Sequence, residues 1–389
     1  MSQGLTTPGL AALDAMLARH VEQAEVPGLV ALVARGDDVH VAALGHKALG
    51  DSDPIGRDAI FRIASLTKPI AGAAAMLLIE DGAMALDDPI GRWLPELAEP
   101  RVLRCLESEL DDTVPAERPI TVEDVLSFRL GFGSIMDPGP YPVQQAESEL
   151  GLKTLSSPWP PADLTPDEWI ARLGRLPLLD QPGTRWRYNT GASVAGVLIE
   201  RVAGRPLGDV LAERIFEPLG MTDTSFYVPA DKLGRFTTFY GPSAGELQVL
   251  DRPGGWYSSP PKWPDAASGL VSTVDDLWTF ASMLASGGGR LLSAESVRQL
   301  TLDRMTARDR EQNRLFVGDH SGWGLMMLVP AADGSTGVPG GFGWEGGSGT
   351  VWRTDPATGL TGILLTQRMM TSPKPTGLVK DFWSAAYAA

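Results

Sequence analysis

Ser65 and Lys68, in "IASLTKPIAG" at residues 63–72, are the pair in this chain whose types and spacing best suit acyl transfer. On a helix, residues three apart share a face, so the two side chains point into one space near the first turn. A serine hydroxyl is a weak nucleophile at neutral pH and needs a base beside it. A lysine acts as that base only when burial or a neighbouring cation lowers its pKa toward neutrality, and the apolar run "PIAGAAAMLLI" supplies such surroundings. The same serine also suits a plain N-cap, and both readings stand at this point. Pro69 adds a constraint, because the residue before a proline is biased away from helix.

Two other serines compete. S-x-x-K recurs at Ser259 to Lys262, "SPPK", as composition alone predicts roughly once in a chain this long. Its two prolines prevent a regular helical turn, so these side chains do not share a face. "GPSAG" at residues 241–245 matches G-x-S-x-G, which requires a strand, a tight elbow and a helix, then a later acid and histidine. Here "FTTFY" precedes, "ELQVL" follows and His320 is the only downstream histidine, so Ser243 reads as part of a hairpin tip.

The elements that must hold the first pair are legible in outline. Thr7 is the expected N-cap of an opening helix with Pro8 at its first position and Leu10, Leu13, Leu17 and Val21 on one face. "GLVALVARGDDVHVAALG" reads as a β-hairpin turning at Gly36 to Asp38, and residues 66–81 as a buried helix. "GAMALDDPIGRWLPELAEP" reads as a loop with short helical pieces. Helices are expected over 166–175, 191–203, 206–216 and 273–286, the last behind Ser272 or Thr273. "WGLMMLV", "GTVWRT" and "TGILLTQ" read as strands, and "TGLVKDFWSAAYAA" as a closing helix. Strands at both ends with helices between predict one sheet built from both termini.

Composition narrows the function. The chain has 389 residues, 43% of them hydrophobic, enough to bury a sizeable core. A net charge of -15 without a basic run argues against nucleic-acid and anionic-membrane partners and favours a small-molecule ligand. One cysteine, Cys105, excludes an internal disulfide, and the four histidines lack zincin spacing, so neither metal nor cofactor is expected. The N-terminus lacks a signal-peptide pattern, and the longest apolar run, Pro69 to Ile79, falls short of the roughly 20 residues that span a bilayer. A cytoplasmic enzyme is expected, of open oligomeric state.

Two further segments carry a resemblance. "GTRWRYNTGASVAGVLIERVAG" places Tyr188 just before a helix, and "GFGWEGGSGTVWRT" places a glycine-rich run by a C-terminal strand. With "ASLTK" they resemble, in order and spacing, the three motifs of serine β-lactamase-type hydrolases, S-x-x-K, a Tyr-led motif and K-T-G or a replacement such as W-x-G. "IFEPLGMTDTSF" and "SGLVSTVDDLWTFASMLASGG" extend the likeness over almost the whole chain, which looks most like the class C β-lactamase-like family VIII carboxylesterases. The resemblance implies an α/β fold of the α+β type, a predominantly antiparallel sheet flanked by helices with an inserted helical domain. Residues 1–85 and 265–389 would form the sheet-containing part, and 86–264 the helical, loop-rich wall of the site. It implies Ser65 as nucleophile, Lys68 as its partner and Tyr188 as proton shuttle. The backbone N–H groups of Ser65 and Gly347 would form the oxyanion hole, and Trp344, Gly346 and Asn189 would contact substrate. A tyrosine, with a reference pKa of about 10, serves as shuttle only if a cation stabilises its phenolate, and Lys68 is that cation. Which of the two carries the proton at rest is left open.

The chain departs from the family pattern at several points. Trp344 replaces the K-T-G lysine that holds a substrate carboxylate, which favours neutral esters over anionic lactams and offers a stacking surface. The class C motif has Asn two residues after Tyr, whereas this chain reads Asn189-Thr190, so either residue is open for that role. "LSFRLGFG" at 126–133 replaces "LTHTSGL", with Arg129 read as a surface residue, and Arg185 and Arg187 as solvated. Phe132, Tyr141, Trp159, Trp256, Tyr257 and Trp263 suggest an apolar pocket, although each singly reads as rim packing. The expected activity is hydrolysis of small neutral carboxylic esters through an acyl-enzyme on Ser65. The alternatives are acyl transfer, amide or β-lactam hydrolysis on the same scaffold, or a non-catalytic binding protein.

Overall fold

Near-continuous apolar runs in the first strand, "GLVALVAR", and the last, "LTGILLT", let one sheet bury both of its faces. In the computed structural model, which describes residues 4–136, 139–152, 163–243, 246–332 and 341–389, helix α1 (Thr7–Glu22) leads into strands β1 (Gly28–Arg35) and β2 (Asp38–Gly45). Helices α2 (Thr67–Glu80), α3 (Pro166–Leu173), α4 (Thr190–Ala203) and α5 (Val274–Ala285) follow. The chain then returns to the sheet as β3 (Ser321–Trp323), β4 (Leu328–Pro330), β5 (Phe342–Gly346), β6 (Thr350–Asp355) and β7 (Leu360–Thr366), and ends in α6 (Gly377–Ala388). The strand order is β2-β1-β7-β6-β5-β4-β3, antiparallel throughout. The first and last strands of the chain are neighbours inside the sheet, where Val30 pairs with Leu365 and Leu32 with Ile363.

Odd and even residues of the central strands serve different cores. Leu29, Ala31, Val33, Val351 and Leu364 pack against Leu13 and Leu17 of α1 and Phe382 and Trp383 of α6. Val30, Leu32, Ile363 and Leu365 face the other way, into a buried cluster that runs without a break through α2 to Leu198 of α4 and Phe280 of α5. A one-residue slip of β1 would exchange the two sets, so the register is tightly specified. No helix among the described residues is long and apolar enough to cross a membrane.

Two local expectations are corrected. The first helix is capped by Thr6, not Thr7: Thr6 is extended and its side chain accepts from Gly9 N at 3.2 Å. "WGLMMLV" is not one strand but a buried reversal between β3 and β4. Gly324 N donates to Met327 O at 2.9 Å, Met326 holds φ 66°, and Met326 N donates to Leu126 O at 2.8 Å. Leu325, Met326 and Met327 are fully buried, so an apolar run that imitates a strand is here a turn facing the core. Of the two candidate caps for α5, Thr273 caps it, accepting from Asp276 N at 3.3 Å.

Candidate active site

Ser65 sits on a sharp bend rather than within a regular helix. A short strand, Phe61–Arg62, pairs with Val271–Ser272 and runs into a 3-10 turn, Ala64–Leu66, which passes directly into α2. Ala64 holds φ 45°, a conformation that costs a residue with a Cβ about 1 kcal/mol or more unless its surroundings enforce it. They do so here from several sides. Thr67 Oγ1 donates to Ala64 O at 2.7 Å and accepts from Leu270 N at 3.1 Å. From the β5–β6 turn, Ser348 Oγ donates to Arg62 O and Thr350 Oγ1 to Ile63 O at 3.1 Å. The Arg62 guanidinium is buried against Asp251, donates to Thr237 O at 2.7 Å and lies 4.0 Å from the Phe236 ring. Pro69 falls in the first turn of α2, where a missing N–H goes unnoticed, and Lys68 before it remains helical.

Two side chains converge on Ser65 Oγ. Lys68 Nζ lies 2.9 Å away and also donates to Ala267 O at 2.6 Å, while Tyr188 OH lies 3.0 Å away. Trp344 Nε1 donates to Tyr188 OH at 2.9 Å, and Lys68 Nζ stands 4.8 Å from the Tyr188 ring centroid. The tyrosine ring is enclosed by Phe316, stacked at 4.7 Å, and by Phe128, Trp323 and Trp344 at 6.0, 6.2 and 5.7 Å. Lys68 is fully buried, and burial pushes its amine down to about 7 against the opposing pull of Asp265. Burial pushes the Tyr188 phenol up to about 12, only partly offset by its bonds to Ser65 and Trp344. The question of the resting proton thus has a physical answer. In neutral water Tyr188 keeps its proton, and Lys68 is the group near balance.

The glycine-rich segment lies where the bend needs it. A Cβ on Gly346 would collide with Ile63 O and Thr350 Oγ1, so this strand end can approach the bend only as glycine. A Cβ on Gly347 would meet nothing within 4 Å, which leaves that position facing open space beside the bend. Asn189 holds φ 80° at the N-cap of α4, immediately after Tyr188, while Thr190 is buried with its hydroxyl unpartnered among the described residues.

Several sequence expectations change. Trp344 is largely enclosed beside Tyr188: it is 5% exposed, its N–H donates to Tyr188 OH and its ring packs edge-on against Trp323 at 4.7 Å. Arg129 is not a surface residue; it donates to Arg304 O at 2.8 Å and pairs with Asp309 at 3.7 Å. Arg187 is buried, ion-paired with Asp180, and Trp186 is 1% exposed. Arg185 is half-buried, 3.9 Å from Asp180. Among the loop aromatics, Phe132, Tyr257 and Trp263 are buried and Trp256 is exposed, while Trp159 lies outside the described residues. Ser243 ends the strand Phe239–Ser243 and pairs with Glu246 of Glu246–Asp251; residues 244 and 245 of that hairpin lie outside the described residues. Ser259 is exposed, and Lys262 makes a surface ion pair with Asp163.

Sequence reasoning missed Asp265, Ala267, Asp309 and Phe316. Asp309 accepts from Trp186 N at 3.1 Å and so ties the helix Ala307–Gln312 to the segment leading into Tyr188. Its capping box, "TARD" at 306–309, was a visible helix-start signal, but nothing in it revealed the partner 123 residues away.

Known proteins resemble this chain over most of its length. The Beta-lactamase family profile matches residues 13–378. Protein Rv1367c of Mycobacterium tuberculosis is 38% identical over 346 residues, covering 85% of this chain and 82% of its own. Esterase EstB of Burkholderia gladioli is 30% identical over 385 residues, covering 92% and 90%. Among solved structures, EstCE1, described as a hydrolase with promiscuous acyltransferase activity, superposes with a TM-score of 0.80 at 24% identity, covering 97% of this chain and 98% of its own. With a profile match over nearly its full length and a 30%-identical relative along 92% of it, the chain belongs to the Beta-lactamase family.

Proposed function

We propose that the protein is a serine carboxylesterase that cleaves small neutral esters through an acyl-enzyme on Ser65. The observation that carries this reading is the convergence of Lys68 Nζ and Tyr188 OH on Ser65 Oγ, at 2.9 and 3.0 Å, with the lysine held near neutrality by burial. Unprotonated Lys68 takes the Ser65 proton as Oγ attacks the ester carbonyl. The developing oxyanion is met by the backbone N–H groups of Ser65 and Gly347, worth about 3 kcal/mol per donor where such donors have been removed in enzymes. Tyr188, protonated and fixed by the Trp344 N–H, delivers a proton to the departing alkoxide and is recharged from Lys68. Water then repeats the sequence on the acyl-serine.

The neutral-ester preference rests on the absence of a lysine at position 344 and on the apolar enclosure of Tyr188. Relatives named as an esterase and as a hydrolase with acyltransferase activity support it, and the second favours acyl transfer to a small alcohol as an additional outcome of the same acyl-enzyme. The test is a hydrolysis screen over neutral esters, amides and β-lactams, with intact-mass detection of the trapped acyl group. Turnover of short neutral esters with acyl mass on Ser65 is expected. Preferential turnover of lactams or amides would contradict the reading.

A further inference from the structure

Asp265 takes no part in the steps above, yet it joins the elements that perform them. Its Oδ1 accepts hydrogen bonds from Ser193 Oγ and from Ala267 N, both at 2.9 Å. Its carbonyl accepts from Gly269 N at 3.0 Å and closes a tight turn. That turn aims Ala267 O at Lys68 Nζ. Ser193 lies in the first turns of α4, the helix that Tyr188 precedes. One carboxyl therefore ties the tyrosine's helix to the carbonyl that holds the lysine.

Resting on the esterase reading, we propose that Asp265 is a positioning residue for acyl transfer at Ser65: it fixes the turn that offers Ala267 O to Lys68, and its negative charge stabilises the Lys68 ammonium formed when the Ser65 proton arrives. The proton leaves Ser65 Oγ for Nζ as the Oγ–C bond forms, and Asp265 exchanges no atom. Lys68 donates to Ser65 and Ala267 rather than to Asp265, so the carboxylate acts through its field and through the turn. The opposing tendencies agree with this geometry: burial drives both the Asp265 carboxyl and the Lys68 amine toward their neutral forms, and each charge resists the loss of the other. The other groups facing the lysine are Ser65 and the neutral Tyr188. Glu345 of β5 bears on Tyr188 and is paired with Arg353 at 3.2 Å.

The test compares pH profiles of kcat/KM for a neutral p-nitrophenyl ester, and of Ser65 phosphonylation by a fluorophosphonate, in the wild type, Asp265→Asn and Ser193→Ala. Asparagine keeps an acceptor for Ser193 and Ala267 but removes the charge. The acid limb, where Lys68 loses its proton, should move to lower pH by about one unit in Asp265→Asn. At the plateau kcat should fall about tenfold or more with KM little changed. Ser193→Ala should move the limb in the same direction by less, because the carboxylate loses a bond that favours its charged form. A folded Asp265→Asn enzyme whose limb stays in place overturns the proposal even if kcat falls, since packing alone predicts that fall. Should that variant fail to fold, Ser193→Ala decides, and an unmoved limb overturns the proposal. Lys68→Ala separates the two readings. If its phosphonylation keeps the limb, both the base assignment and the Asp265 proposal fail. If the limb vanishes there but is unmoved in Asp265→Asn, only the proposal fails.

Discussion

The chain contains S-x-x-K twice, and the two copies meet opposite fates. At residues 65–68 a strained turn passes into a buried helix, the lysine is fully enclosed, and a tyrosine closes on the serine from another element. At 259–262 two prolines leave the chain in an irregular surface loop, where Lys262 is exposed and holds a salt bridge with Asp163. The residue types and the spacing are identical. What differs is desolvation: water leaves Lys262 a cation, while its exclusion leaves Lys68 able to act as a base. A motif of this kind specifies candidates, and the packing around it decides which one acquires chemistry.

Substitutions can break or sharpen that contrast. The largest expected effect is at the buried copy: Ser65→Ala should abolish covalent labelling, and Lys68→Ala should lower kcat/KM for a neutral ester by about a hundred- to ten-thousandfold. Tyr188→Phe, which preserves the ring cage and deletes the hydroxyl, should lower kcat by about a hundredfold, measured at saturating ester. Trp344→Phe should follow at about tenfold in kcat, the worth of one hydrogen bond to a group whose charge changes during turnover. An unaltered kcat there would mean that the indole N–H only fills space. Lys262→Ala and Ser243→Ala should leave kcat/KM within about twofold of the wild type, since exposed ion pairs contribute little and Ser243 ends a hairpin strand rather than a nucleophile elbow. A large loss in either would reverse the comparison.

The pH profile sharpens it further. Because burial lowers the Lys68 amine to about 7, the base form grows as pH rises through neutrality, so kcat/KM should climb between about pH 6 and 8. Tyr188, raised to about 12, should not limit the rate below about pH 10. A solvated lysine like Lys262 would instead delay the rise to above about pH 9.

Much of this was legible in the residues. Local patterning located the hairpin, the buried helix after Ser65 and the sheet's assembly from both termini, because alternation and continuous apolar runs are displayed directly by a sequence. Ser65, Lys68 and Tyr188 were found through motif order, and the structure brings their side chains together. What failed depended on tertiary partners. "WGLMMLV" looked like a strand because a buried turn and a buried strand are equally apolar. Arg129 and Arg187 looked solvated because their carboxylate partners lie in other segments, at Asp309 and Asp180. The bond from the Trp344 N–H to Tyr188 OH was equally invisible, a contact across 156 residues of sequence. Asp265 carried no motif at all; only the fold places it beside Ser193 and the carbonyl that holds Lys68.

The central claim, that exclusion of water makes Ser65 the nucleophile with Lys68 as its base, is tested most directly by mapping and timing fluorophosphonate modification across pH. The label should appear on the peptide containing Ser65 alone, at a rate that rises through about pH 7, and should disappear in Ser65→Ala and slow steeply in Lys68→Ala. Label on Ser243 or Ser259, or a rate on Ser65 that stays flat until above about pH 9, would contradict the account.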